Sequence, residues 1–123
     1  MARPARRKSS LCLRARIRIL RGNEIAIGPG KAELLEMVRE TRSIRKAAGL
    51  MGMSYMRAWT LIQTMNRCFH EPLVRAARGG RRGGGAELTP TGEAALELYH
   101  QMEAASLQAA TPAWEHLKTL LRA

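Results

Sequence analysis

At 123 residues, with 46% hydrophobic, 25% charged and only 4% aromatic side chains, the chain has the size and balance of one globular domain with an aliphatic core. Its net charge of +11 and pI near 11.2 point to a polyanionic partner, either nucleic acid or an anionic membrane surface. No apolar run approaches the roughly 18 residues of a membrane span, and no apolar stretch follows the basic start MARPARRKSS, so neither a span nor a secretory signal is expected and the cytoplasm is the default compartment.

In chain order, residues 1–12 read as a disordered basic tail with too little apolar surface to offset ordering entropy. From Leu13 the pattern alternates: Leu13, Ala15, Ile17 and Ile19 lie on one side, Arg14, Arg16 and Arg18 on the other. That period of two predicts a half-buried strand with a basic outer face. Gly22-Asn23 makes a turn, and Ile25-Ala26-Ile27 is placed to pair back. Gly28-Pro29-Gly30 opens a helix buried through Leu34, Leu35 and Val38 that ends near Thr41. Ser43 caps a short second helix with Ile44, Ala47, Ala48 and Met51 on one face.

Ser54 caps a third helix running to about Arg67. Tyr55, Ala58, Trp59, Ile62 and Met65 or Asn66 are predicted inward, with Met56, Arg57, Thr60, Gln63, Thr64 and Arg67 on the opposite side. Leu73-Val74-Arg75 and Ala86-Glu87-Leu88 read as a hairpin around the basic glycine-rich tip 78–85. Thr89-Pro90 starts a long helix with a stripe of Ala95, Leu98, Tyr99, Met102 and Ala105, serving the core, a subunit interface, or both. Thr111-Pro112 repeats the start signal, predicting a separate last helix with Trp114, Leu117 and Leu121.

Two short helices around a glycine-containing turn, followed by a basic hairpin and a long helix, make a winged helix-turn-helix, mainly α with small β. The charge sits where that layout would meet a polyanion. Residues 42–82 carry nine basic side chains against Glu71 alone, and residues 1–21 carry eight with no acid. The third helix fits a major groove: Arg57 can donate to guanine, and Ser54 and Thr60 can reach phosphate or a base. Arg42, Ser43, Arg45 and Lys46 flank it as further DNA-contact candidates, and Arg78, Arg81 and Arg82 in the tip would contact backbone or a minor groove. Taken alone, the polar helix face would be a solvated surface and the tip a mobile loop.

Other chemistries find little support. The chain has no aspartate, no histidine beside a plausible nucleophile, and glutamates mostly on helix surfaces, so no enzyme is expected. Gly30-Lys31 is followed by Ala32 and lacks the upstream glycine of a phosphate-binding loop. His70, His100 and His116 are scattered, Cys12 and Cys68 read as reduced buried thiols, and neither metal nor cofactor is expected. Few exposed aromatics argue against RNA.

Ser43-Ile44 through Ala47-Ala48, Leu50 to Tyr55, Ala58-Trp59, Met65-Asn66, Pro72-Leu73-Val74, Ala86 to Thr89 and Gly92 together resemble the N-terminal domain of the ModE-type molybdate-responsive regulators, over about residues 13–107. The broader LysR-type class shares the Ser-Ile…Ala-Ala half. The resemblance implies a homodimer, built around the N-terminal strands and helices and the long helix after the wing, on palindromic operators near molybdenum-related genes. By position, Ser54, Tyr55, Met56 and Arg57 would open the recognition helix, and Arg81 and Arg82 would sit in the wing. Met56 stands where the family commonly has a lysine or arginine, and Arg42 where a glycine is common. The family's C-terminal molybdate-binding domains have no counterpart in 123 residues, so no oxyanion-binding residue is carried over and no small-molecule effector is evident.

The expectation is therefore a DNA-binding domain at 13–107 with a long dimerisation helix, a short C-terminal helix at 108–123, duplex DNA as partner and no membrane. The competing expectation is a protein-interaction adaptor of the same fold that binds DNA only non-specifically.

Overall fold

The computed structural model describes residues 10–77 and 85–122. The predicted tail up to residue 9 and the tip arginines Arg78, Arg81 and Arg82 lie outside the described residues. Eight elements follow in order: β1 (Ile19–Arg21), β2 (Glu24–Ile27), α1 (Pro29–Thr41), α2 (Ile44–Leu50), α3 (Tyr55–Cys68), β3 (Val74–Ala76), β4 (Ala86–Leu88) and α4 (Pro90–Lys118). The fold is mainly helical with two antiparallel two-stranded sheets, β1-β2 and β3-β4, as a winged helix-turn-helix requires.

Local chemistry sets the helix ends. Pro29 stands in the first turn of α1 after an extended Gly28. Ser43 Oγ accepts from Lys46 N at 3.0 Å, Ser54 Oγ from Arg57 N at 3.1 Å, and Thr89 Oγ1 from Gly92 N at 2.9 Å, so three of the four helices start on a side-chain cap. Between α2 and α3 the chain turns through Gly52 at φ +70°, where a side chain would be strained.

The core is aliphatic. Leu34, Leu35 and Val38 of α1, Ala47 and Ala48 of α2, and Ala58, Ile62 and Met65 of α3 pack with Leu73, Val74, Ala86 and Leu88 of the hairpin and Leu96 and Tyr99 of α4. The hairpin is fastened to this core by polar contacts. Asn66 Oδ1 accepts from Leu73 N at 2.8 Å and Val74 N at 3.2 Å, while its Nδ2 donates to Val74 O at 3.1 Å. Thr89 closes the other side, its Oγ1 donating to Pro72 O and its N–H to Leu73 O.

Four expectations are corrected. Residues 13–18 are not laddered into a strand: only Ile19–Arg21 pairs, because β2 offers four residues and the register runs out at Ile19↔Ile27. Exposure still alternates, with Leu13, Ala15, Ile17 and Ile19 half-buried and Arg14, Arg16 and Arg18 exposed, and Tyr99 OH donates to Ile17 O at 2.7 Å. The second correction is that no helix break occurs at Thr111-Pro112, since α4 runs unbroken through Pro112. Gln108 and Pro112 are both exposed, so water can serve the carbonyl that a proline leaves unbonded.

Third, the core stripe of α4 is Gly92, Leu96 and Tyr99, whereas Leu98 is 56% and Met102 37% exposed. The 29-residue helix spans about 43 Å, and the rest of the chain buries only its first turns, leaving Leu117 and Leu121 exposed. Fourth, Cys12 is exposed and Cys68 half-buried, not both buried. No helix among the described residues is long and apolar enough to cross a membrane.

Candidate nucleic-acid interface

α3 buries Ala58, Ile62 and Met65 against the domain. At 100° per residue, Met56, Thr60, Gln63 and Thr64 therefore project outward. Thr60 is exposed and Met56 is 62% exposed, so the outward face predicted from the sequence is present. Ser54 and Ser43 act as caps through an accepting Oγ, which leaves each hydroxyl proton available to a phosphate. Arg57 is exposed in the first turn of α3 with its backbone N–H already bonded to Ser54.

Two aromatic side chains lie differently from their predicted inward positions. Tyr55 is 36% and Trp59 41% exposed, and both line an open groove of about 400 Å³ between α3 and the hairpin. The groove is completed by Arg45, Gln63, Asn66, Arg75 and Ala76. The Arg45 guanidinium sits over the Tyr55 ring, 4.6 Å from its centroid, which fixes a cation at the groove mouth.

The arginines divide into two sets. Arg39 pairs with Glu93, Arg67 with Glu24 at 2.7 Å, and both Arg42 and Arg75 with Glu87, at 3.0 and 2.8 Å. Arg75 first, then Arg42, holds the Glu87 carboxyl below its ordinary range. Glu24 is held down likewise by Arg67. Among the described residues, no carboxylate lies within 4.0 Å of the charged groups of Arg45, Lys46 or Arg57, which border the outer face of α3. Arg42 therefore differs from its neighbours. Its αL backbone, φ 57°, ends α1, its carbonyl accepts from Ala86 N at 3.0 Å, and its side chain ties the helix turn to the wing.

Gln63, Trp59 and Arg75 join the groove without having been marked as site residues by the sequence. Gln63 had been placed on the correct face. Trp59 sits where an apolar period assigns it to the core, yet it lines the groove. Among the described residues, no cluster of His, Cys, Asp or Glu could hold a metal ion.

Comparisons with known proteins agree with this geometry. The family described as bacterial regulatory helix-turn-helix protein, lysR family, matches residues 30–93, which run from α1 through the hairpin to the first turn of α4. The molybdenum-pterin-binding protein MopB of Rhodobacter capsulatus is 44% identical over 78 residues, covering 63% of this chain and 29% of MopB. The molybdenum transport protein ModE of Azotobacter vinelandii is 40% identical over 78 residues, 63% of this chain and 29% of that protein. The DNA-binding transcriptional dual regulator ModE of Escherichia coli K12 is 39% identical over 71 residues, 58% of this chain and 27% of that protein. The match thus spans less than a third of the length of each of these relatives.

Proposed function

The chain belongs to the bacterial regulatory helix-turn-helix proteins of the lysR family, and from that premise we propose that it reads specific duplex sequences as a homodimer, in the manner of ModE-type regulators, at operators of molybdenum-related genes. Residues 13–107 form the DNA-binding domain in this reading. The observation that carries it is the outward face of α3, with Met56, Thr60, Gln63 and Arg57 free of the core and bordered by cations without carboxylate partners. A helix of this kind enters a major groove with its first turns against base edges, while Ser54, Ser43, Arg45 and the tip arginines Arg78, Arg81 and Arg82 meet the phosphates. Tyr55 holds Arg45 in place for that contact, and Arg42 supports the wing.

The dimer is supported by α4, whose exposed Leu98, Met102 and Leu117, with Leu121 just beyond its end, gain from burial against a second copy. Two copies read half-sites about one helical turn apart, so the operator is two-fold symmetric. The link to molybdenum rests on the relatives, a molybdenum-pterin-binding protein and a molybdenum transport protein.

The test is the Arg57→Ala change. If Arg57 reads a base, the change relaxes preference at one base pair by about 1–3 kcal/mol and leaves the other positions intact. An equal loss on every sequence assigns Arg57 to phosphate. A wild-type affinity that does not fall with salt removes the DNA reading altogether.

A second reading has its own observation. Met56 presents a thioether, not a cation, at the centre of the outer face, and the same exposed α4 face suits a partner protein. An adaptor of this kind would hold a stoichiometric protein partner and bind DNA without sequence preference.

A further inference from the structure

The basic stretch at 14–18 is not used by the helix-turn-helix, yet the fold brings part of it beside α3. Arg16 and Arg18 line an open groove of about 330 Å³ together with Gly28, Gly30 and Lys31 at the start of α1 and Arg57 on α3. No acidic residue lines it, and no carboxylate among the described residues lies within 4.0 Å of Arg16, Arg18 or Arg57. Glu103 shares a neighbouring groove with Arg14 and Arg16 but is held by His100 at 3.2 Å.

The arrangement is built, not incidental. Tyr99 OH grips Ile17 O, so the backbone between the two arginines is pinned to α4 and both side chains leave toward solvent. The Arg18 stem lies over Gly28, where an added Cβ would stand 3.3 Å from Arg18 Cγ. Lys31 donates to Ile25 O and adds a fixed positive charge at the groove floor.

On α3 the residues facing this groove, Arg57 and Leu61, lie on the opposite flank from Tyr55, Trp59 and Asn66, which face the wing. A helix seated in a major groove about 12 Å wide has one phosphate strand on each flank. The wing flank offers Arg45, with Arg75 already paired to Glu87. Beside Arg57, the other flank offers Arg16 and Arg18, which have no carboxylate partner among the described residues.

We propose that DNA contact extends beyond the helix-turn-helix, with Arg16 and Arg18, beside Arg57, binding the phosphate strand on the flank of α3 away from the wing. This inference rests on α3 entering duplex DNA, as argued above, and adds a second, sequence-blind edge to that interface. The N-terminal segment is then part of the DNA-binding surface, not only a strap across α4.

The experiment compares the full chain with Arg16→Gln/Arg18→Gln on a labelled duplex of about 30 base pairs, over about 50 to 200 mM salt. Each phosphate contact contributes a slope of about 0.9 to the logarithmic salt dependence, so the double variant loses about 1.8 per chain. Its affinity deficit then shrinks about 12-fold across that salt range for each bound chain, about 150-fold for a dimer. Arg16→Lys/Arg18→Lys retains the slope, because the contact needs charge and not a guanidinium. Arg39→Gln, which removes an arginine already paired with Glu93, leaves the slope unchanged.

Far-ultraviolet circular dichroism and thermal melting show whether the double variant keeps its fold, and Arg18→Gln alone serves if it does not. A wild-type salt dependence with an unchanged slope in a folded variant overturns this inference while leaving the helix-turn-helix reading in place. A wild-type chain without salt-dependent binding overturns both.

Discussion

Asn66→Ala tests whether one side chain holds the wing against the recognition helix. The amide makes three hydrogen bonds to the backbone of Leu73 and Val74, at 2.8, 3.2 and 3.1 Å, and both residues are buried. Alanine leaves two N–H groups and one carbonyl without that partner, at a strand start that is only partly open to water. An unsatisfied buried polar group costs about 1–3 kcal/mol, and partial relaxation makes the three together worth about 3 kcal/mol. For a chain of this size that lowers the melting midpoint by about 10 °C. Thermal unfolding followed by circular dichroism at 222 nm gives the number. DNA titration at a temperature where the variant is folded gives the functional cost, expected as weaker binding through a displaced hairpin. A midpoint within about 2 °C of wild type would refute the reasoning, because those backbone groups would then have found other partners.

Gly92→Ala should destabilise by about 3 kcal/mol or more, since a Cβ there would stand 2.1 Å from Leu73 O and two backbones would have to separate; the melting midpoint checks it. Glu87 has a carboxyl held below its ordinary 4.5 by Arg75 and then Arg42, so its stabilisation is complete above that value and disappears as pH falls through the lower folded value. Glu87→Gln should therefore flatten the acid limb of a midpoint-against-pH curve, and an unchanged limb would assign the loss to other carboxylates. Tyr99→Phe removes only the bond to Ile17 O, costing about 1 kcal/mol, and should speed amide exchange most in the segment around residue 17.

Much of the fold was legible because its signals are local. The caps Ser43, Ser54 and Thr89 and the prolines at the starts of α1 and α4 mark helix boundaries that the structure reproduces. What depended on tertiary context was not legible. The alternation at 13–19 gives the correct exposed and half-buried sides, but a ladder also needs a partner, and β2 supplies one only as far as Ile19. Trp59 has the spacing of a core residue, yet it is 41% exposed in a groove whose other wall is formed by hairpin residues far along the chain. On α4, Leu96 and Leu98 are equally apolar, and only the placement of α1 and β4 against the helix separates the buried one from the exposed one. Pro112 follows a threonine just as the true start at Thr89-Pro90 does, so composition alone could not separate a helix start from a helix interior.

Arg42 shows the same limit within the interface. The sequence places it among basic residues beside the recognition helix and marks it as standing where the resembled family often has glycine. The structure gives the glycine preference a cause, since the position ends α1 in the αL region. It also gives the arginine its own task, an ion pair to Glu87 that joins the helix turn to the wing. The carboxylate that makes this pair lies 45 residues downstream, beyond any local pattern.

The central claim is that α3 reads duplex sequence, and selection of bound DNA from a random duplex pool at near-physiological salt tests it most directly. The account predicts recovery of a two-fold symmetric motif with half-sites about one helical turn apart. Recovery of duplex without sequence preference, alongside intact salt-dependent binding, would contradict it and leave the basic surface to the adaptor reading.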